Sequence, residues 1–137
     1  MVDYFKHSMD EFAVRQLSPL ALAHCGDAVF ELMVRGRLCT QKSEKLHNLH
    51  KETVSYVCAG AQANCAERIL PHLSEQELSY YKRGRNANVH TIPKNATHEE
   101  YAKATGLECL FGALFLCGKT ERLNELFVIA MEDSDAT

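Results

Sequence analysis

Apolar residues recur every three or four positions along most of this chain, which is the spacing of one face of an α-helix. Where such stripes begin at a capping residue and stop at proline or glycine, they mark helices. The stripes and their stops predict helices over residues 19–38, 43–70, 75–83, from Thr97 to Gly118, and from Thr120 to about Met131. No segment alternates strictly between apolar and polar positions, so the pattern predicts an all-α fold of about six helices.

Helix starts are well marked in this sequence. Three segments fit a capping box, in which a Ser or Thr and a Glu three residues later satisfy each other's backbone N–H groups. They are Ser8–Glu11, Ser74–Glu77 and Thr97–Glu100. In addition, Ser18 precedes Pro19, as an N-cap precedes a first-turn proline. These signals divide the chain into an extension over residues 1–17, a domain over 18–131 and an acidic tail over 132–137.

The composition agrees with one domain outside a membrane. A chain of 137 residues with 46% apolar content is large enough for a single core and too short for two domains. The N-terminus is too polar for a secretory signal and no apolar run is long enough to span a bilayer, which predicts a cytoplasmic protein. Six cysteines lack a Cys-x-x-Cys pair, so we interpret them as small buried residues.

The charge is unevenly distributed. The whole chain carries −3, which excludes a general polycation, but residues 82–95 contain four basic residues and no acid. One interpretation is a solvated turn. The other is a surface that grips phosphates, because asparagines add neutral hydrogen-bonding groups and Gly84 lets the backbone come close. On the second interpretation the candidate contacts are Lys82, Arg83, Arg85, Asn86, Lys94 and Asn95.

Two acids stand among apolar residues on predicted helices. Asp27 follows Gly26 in the middle of one helix, and Glu108 lies between Gly106 and Gly112 on another. Glycine within a helix costs about 1 kcal/mol relative to alanine, so close helix packing or a ligand must compensate. If the two helices cross, their carboxylates repel each other unless a proton or a hard cation such as Mg²⁺ or Mn²⁺ neutralises them. The alternative is that Asp27 pairs with Arg15 or Arg35 and Glu108 reaches solvent.

Four segments resemble motifs of one nuclease family. The sequence LALAHCGDAVFELMVR (residues 20–35) resembles the signature helix of the ribonuclease III family, and LECLFGALFL (107–116) resembles its second acidic helix. Between them, YKRGRNA (81–87) and PKNA (93–96) are similar to a compact subgroup called Mini-ribonuclease III, which lacks a separate RNA-binding domain. The resemblance covers roughly residues 18–127.

This resemblance implies a homodimeric endoribonuclease that cleaves double-stranded RNA with Mg²⁺ or Mn²⁺. Asp27 falls on the family's catalytic aspartate and Glu108 on its metal-binding glutamate. Glu31, one turn after Asp27, is a candidate for hydrogen bonding around the metal, with a salt bridge to Arg35 as the alternative. The subgroup acts in maturation of large-subunit (23S) ribosomal RNA, with a ribosomal protein as a candidate partner that presents the substrate.

The sequence also departs from the family at two positions. Full-length relatives carry further acids where this chain has Ala23 and Thr105. These losses favour an alternative function, a catalytically silent helical dimer that binds structured RNA or the ribosome. The retained Asp27 and Glu108 favour the enzyme. A third hypothesis is a helical interaction module with no role in RNA metabolism.

Overall fold

The computed structural model describes residues 1–41, 46–87 and 94–132. In these ranges the chain forms seven α-helices, one 3₁₀ turn (Leu70–His72) and no β-strand, which confirms the all-α prediction. The helices are α1 (Glu11–Arg15), α2 (Pro19–Gln41), α3 (Leu46–Val57), α4 (Ala59–Ile69), α5 (Glu75–Arg85), α6 (His98–Leu116) and α7 (Thr120–Ala130).

Two of the three predicted capping boxes form. The hydroxyls of Ser74 and Thr97 accept the backbone N–H groups of Glu77 and Glu100. The carboxylates of these glutamates in turn accept the backbone N–H groups of Ser74 and Thr97. The box at Ser8 was wrong, because Asp10 is the N-cap of α1 and its carboxylate accepts from the backbone N–H of Ala13 at 2.8 Å. At the other end of the chain Thr120 is the first residue of α7 rather than its cap.

The single helix predicted over residues 43–70 was also wrong. The chain turns at Cys58, whose extended backbone (φ −67°, ψ 158°) ends α3 and begins α4. The two helices therefore bury faces that would not line up on one continuous helix. Among the described side chains of α3 (residues 48–57) Thr53 is buried, whereas α4 buries Gln62, Ala63, Cys65, Ala66 and Ile69. The predicted start at residue 43 lies outside the described residues.

Helix α6 is the centre of the fold. It packs against α2, α5 and α4, and every residue from Ala104 to Leu114 is buried except Glu108. Phe111 of α6 meets Phe30 of α2 edge to face, with 5.5 Å between the ring centroids. A helix segment enclosed on so many sides must be apolar almost all round, so the one carboxylate between Ala104 and Leu114 is an exception that requires a reason.

Two glycines allow α2 and α6 to cross with their backbones in contact. A Cβ at Gly26 would overlap the carbonyl oxygen of Glu108, and one at Gly112 would overlap the carbonyl oxygen of Leu22. The cost of glycine within each helix is therefore offset by close packing, as the sequence led us to expect. This crossing places Asp27 beside Glu108.

The predicted N-terminal extension packs on the end of α6. Met9 donates its backbone N–H to the carbonyl of Leu116, and the ring of His7 lies 5.1 Å from that of Phe115. Gly118 ends the helix in the left-handed conformation (φ 75°), as predicted. At the C-terminus, the predicted tail beyond Glu132 lies outside the described residues.

The six cysteines are all free. The prediction that they are buried was wrong for Cys39 and Cys58, which are exposed at the C-terminal part of α2 and at the turn between α3 and α4. Among the described residues, none of the helices is both long enough and apolar enough to span a lipid bilayer.

Candidate active site

Asp27 and Glu108 face each other at the crossing of α2 and α6. Gly26 directly precedes Asp27, and the close approach that it permits carries the neighbouring carboxylate to within hydrogen-bonding reach of Glu108. Asp27 is exposed although apolar residues surround it in the sequence, whereas Glu108 is largely enclosed. The pair therefore has one solvent-facing side from which a ligand can approach.

The electrostatics of the pair favour a proton or a cation between the two groups. Burial, together with the negative charge of Asp27 and a hydrogen bond to it, raises the pKa of Glu108 from 4.5 to about 8. At neutral pH the ionised form of Glu108 is therefore stabilised by any positive charge that lies between it and Asp27. At neutral pH a proton on Glu108 relieves the repulsion, and a cation held between the two groups would relieve it as well.

The donor set fits Mg²⁺ or Mn²⁺ and does not fit a structural zinc site. Within the described ranges, no cluster of three or more His, Cys, Asp or Glu residues is arranged to hold a metal. Two carboxylates are nevertheless sufficient for Mg²⁺, which keeps several waters and completes its octahedral shell with substrate phosphate. Asp27 and Glu108 would hold the ion.

The competing ion pairs are not formed. Arg35 binds Glu31, with 2.7 Å between Nη2 and Oε2, and Arg15 donates to Ser79 Oγ at 3.3 Å while lying over the ring of Tyr80. The two arginines considered as partners of Asp27 are therefore engaged elsewhere. Of the two alternatives for Glu31, its geometry is that of the salt bridge.

The two positions that depart from the family lie in the core. Ala23 is 6% exposed, and Thr105 is 5% exposed with its hydroxyl donating to the carbonyl of Tyr101 at 2.9 Å. Thr105 therefore satisfies its polar group within its own helix and leaves none directed at the carboxylates. The site consequently has two acids.

The predicted RNA-binding residues lie on α5 and in the turn that precedes α6. Lys82, Arg83 and Asn86 line a groove on the outer face of α5. Arg85 is exposed elsewhere on this helix, with its guanidinium 5.9 Å from the centre of the Tyr81 ring.

The other residues of the basic segment differ in their exposure and in their contacts with the rest of the protein. Lys94 and Asn95 are exposed in the turn that precedes α6. Arg83 is half-buried and donates to the carbonyl of Leu17 at 2.9 Å, which fastens the segment before α2 to α5. The part of the basic segment over residues 88–93 lies outside the described residues. Arg83 therefore has a structural contact of its own, whereas Lys82, Arg85 and Lys94 are exposed.

Sequence reasoning missed one residue at the site, Gln62 of α4. Its side chain is 2% exposed, faces the carboxylate of Glu108, and carries an Nε2 that makes no hydrogen bond. The predicted stripe for a continuous helix ran through Ala61 and Cys65, so Gln62 lay outside it. The chain turns at Cys58, so the buried face of α4 differs from the face that a continuous helix would bury. A prediction of Gln62 would have required a prediction of this turn.

Fold and site together define an all-helical domain with a paired-carboxylate centre suited to a divalent cation. The family profile described as the ribonuclease III domain matches residues 20–119, which include both acids. The chain belongs to the ribonuclease III family, and is accordingly an endoribonuclease by class.

Relatives with the same name support this membership over most of the chain. A Mini-ribonuclease 3 of Thermoanaerobacter sp. is 44% identical over 87% of this chain and 84% of its own. One from Symbiobacterium thermophilum is 44% identical over 85% of this chain and 89% of its own. A crystal structure of a Fusobacterium nucleatum protein has a TM-score of 0.79 at 32% identity, covering 87% of this chain and 95% of that one.

Proposed function

We propose that this protein is a Mg²⁺-dependent endonuclease of double-stranded RNA, with Asp27 and Glu108 as its catalytic, metal-binding pair. The observation that carries the proposal is the convergence of these two acids at a crossing of α2 and α6 in which both backbones are in contact. An acid pair at a helix crossing is unfavourable unless a proton or a cation neutralises it, and a cation-binding function explains why both acids are present.

The roles of the residues follow from their exposure. Asp27, on the open side, would bind the metal directly and orient the attacking water, while Glu108 would complete the shell from the enclosed side. A bound Mg²⁺ supplies charge neutralisation on the phosphate and a more acidic water. The enclosed position of Glu108 also restricts its movement, so the orientation is fixed before the substrate arrives.

Long duplex RNA incubated with the protein tests this function most directly. We expect cleavage with Mg²⁺ and none with EDTA, and end mapping would show whether both strands are cut. Intact duplex in Mg²⁺, with binding retained, would instead support the catalytically silent RNA-binding dimer. Absence of both binding and cleavage would support the third hypothesis, a helical interaction module with no role in RNA metabolism.

The exposed basic residues are proposed to contact the phosphates of the duplex. We expect Lys82→Gln, Arg85→Gln and Lys94→Gln each to weaken binding of unrelated duplexes and to lower the log–log salt slope by about 0.7–0.9. Arg83 is left unchanged because it holds Leu17. Binding assays between 50 and 300 mM salt, chosen as about the range where such slopes are resolved, measure the effect.

A lysine elsewhere on the surface provides the control for these variants. Lys119→Gln removes the same charge from an exposed position at the start of α7. We expect its salt slope to equal that of the wild type. If Lys82→Gln and Lys119→Gln had equal salt slopes, the basic segment would be interpreted as a solvated turn.

We also propose that the protein is a homodimer, as the family resemblance implies. An apolar groove lies between the N-terminal segment, α2 and α7, and Leu32 in it is 60% exposed. Covering such a surface is favourable and a second copy would do so symmetrically. Sedimentation at micromolar concentration is expected to give a dimer, and we expect Leu32→Glu to give a monomer. A wild-type monomer would contradict the proposal.

The substrate within the cell is proposed to be the precursor of large-subunit (23S) ribosomal RNA. The support is the name Mini-ribonuclease 3 borne by the relatives together with the role that the family resemblance implies. A ribosomal protein that presents the RNA is the proposed partner. Depleting the protein from its host and mapping the ends of the ribosomal RNA tests both: extended ends are expected.

A further inference from the structure

Packing alone does not explain why a glutamine is buried at position 62. It is 2% exposed on α4, among small apolar neighbours such as Ala63 and Ala66, and its Nε2 makes no hydrogen bond. Leaving a buried donor without a partner costs about 1–3 kcal/mol, and a methionine or leucine of similar length would avoid that cost. A buried amide that is retained at such a cost needs a partner in the working state of the protein.

The partner that the structure offers is Glu108. The carboxamide of Gln62 faces this carboxylate from the side of α4, close enough that hydrogen bonding from it lowers the pKa of Glu108, although Nε2 does not meet the geometry of a full hydrogen bond. Asp27 faces the same carboxylate from α2. Glu108 is thus enclosed between a charged neighbour and a neutral hydrogen-bond donor. A carboxylate that binds a metal through one oxygen has its other oxygen available as an acceptor, and an N–H group is the matching donor.

Helix α4 holds Gln62 firmly enough to orient another side chain. Gly60 lies against the carboxylate of Glu100, where a Cβ would be 3.2 Å from Oε2. One turn beyond Gln62, Glu67 binds Lys103 of α6, with 2.7 Å between Oε1 and Nζ. Contacts to α6 on both sides of Gln62 therefore restrict its motion relative to Glu108, as positioning requires.

We propose that Gln62 is a positioning residue of the metal centre, whose Nε2 donates a hydrogen bond to the Glu108 carboxylate and orients it toward the cation shared with Asp27. This inference rests on the proposed function, because it presupposes a cation at the pair. An amide suits the role because it orients the carboxylate without adding a charge that would compete with the metal.

The test measures metal binding without RNA and without turnover. Mn²⁺ is titrated calorimetrically into the wild type and into Gln62→Met, which keeps the length and flexibility of the side chain but removes the donor. Loss of a hydrogen bond to a metal-binding carboxylate lowers metal affinity by about 10–100-fold, and we expect that loss here. The metal-free melting temperature is expected to stay the same or rise, because the unpaired amide is gone.

Two further variants make the result specific. Thr53→Val removes a buried hydroxyl that donates within its own helix to Leu49, and we expect its Mn²⁺ affinity to be that of the wild type. If Gln62→Met does not fold, Gln62→Ala replaces it, since alanine is already frequent in α4. The same fall in Mn²⁺ affinity is expected of it.

The outcomes distinguish this inference from the function on which it rests. Wild-type Mn²⁺ affinity in a folded Gln62 variant, with binding lost in Asp27→Asn and Glu108→Gln, overturns the positioning role alone. Wild-type affinity in Asp27→Asn and Glu108→Gln overturns the metal centre itself. An equal fall in Thr53→Val would also contradict the inference, because the effect would then be general to buried polar groups.

Discussion

Asp27→Asn is expected to abolish cleavage of duplex RNA while the protein stays folded and still binds the duplex. Asparagine is nearly isosteric with aspartate, so the packing beside Gly26 is kept, but a neutral amide is a poor ligand for Mg²⁺. Glu108→Gln is expected to behave in the same way. Gel assays of cleavage and binding, with circular dichroism for folding, measure these properties. Cleavage at the wild-type rate by Asp27→Asn would contradict the assignment of Asp27 as a catalytic, metal-binding residue.

Stability measured against pH gives this variant a second readout. In the metal-free wild type, Glu108 has a pKa of about 8 when folded and near 4.5 when unfolded. The folded state therefore holds an extra proton between these values, and the free energy of unfolding falls as the pH rises from about 4.5 through 8. Each pKa unit corresponds to about 1.4 kcal/mol.

Removing the charge of Asp27 is expected to flatten that dependence. Burial still raises the pKa of Glu108 in Asp27→Asn, but the repulsion from Asp27 is absent. Denaturation with urea at pH 5 and pH 9 should show a smaller loss of stability in the variant than in the wild type. Mg²⁺ at pH 9 should stabilise the wild type and not the variant. A sharp fall in the variant's stability at both pH values would indicate a structural ion pair instead.

Gly26→Ala is expected to cause the largest loss of stability of any single methyl addition in α2. Its Cβ would overlap the carbonyl of Glu108 and lie 2.7 Å from the backbone nitrogen of Gly112, and neither atom can move as a flexible side chain does. The helices must separate, which we expect to cost about 3 kcal/mol or more after the gain in helix propensity. Urea denaturation measures the cost, and Mn²⁺ titration should show that the two acids no longer share a cation.

The same helix contains the matched control. At Gly36 a Cβ would meet nothing within 4 Å. Gly36→Ala should therefore stabilise the protein by up to about 1 kcal/mol, through helix propensity alone, and leave Mn²⁺ binding unchanged. If Gly26→Ala were as stable as Gly36→Ala, the contact between the α2 and α6 backbones would not be needed.

The sequence was sufficient to predict the parts of the fold that local rules determine. The cap and proline at the start of α2, the boxes at Ser74 and Thr97 and the glycine after α6 are all signals within a few residues. The carboxylate pair was predictable for a different reason: an acid beside glycine on a buried helix is costly unless something faces it.

What the sequence did not predict depends on contacts between distant segments. The turn at Cys58 has no side-chain cap and no proline, and the nearby Gly60 lies inside α4 and does not mark the turn. The turn depends instead on the packing of α3 and α4 against different neighbours. Because that turn changes which face of α4 is buried, the burial of Gln62 could not be predicted without it. The contact of Arg83 with Leu17 was hidden likewise, since it joins residues far apart in the chain.

The enclosure of α6 has a consequence for how this protein can diverge. From Ala104 to Leu114 almost every side chain is buried against α2, α4 or α5, so a change of size at one position must be matched by changes in another helix. Lys82 and the turn at Lys94 and Asn95 are exposed and have no such constraint. Under the proposed function, substitutions at these exposed residues can change the preference for RNA one at a time, whereas a substitution near Glu108 disturbs the packing of α6 against its neighbours.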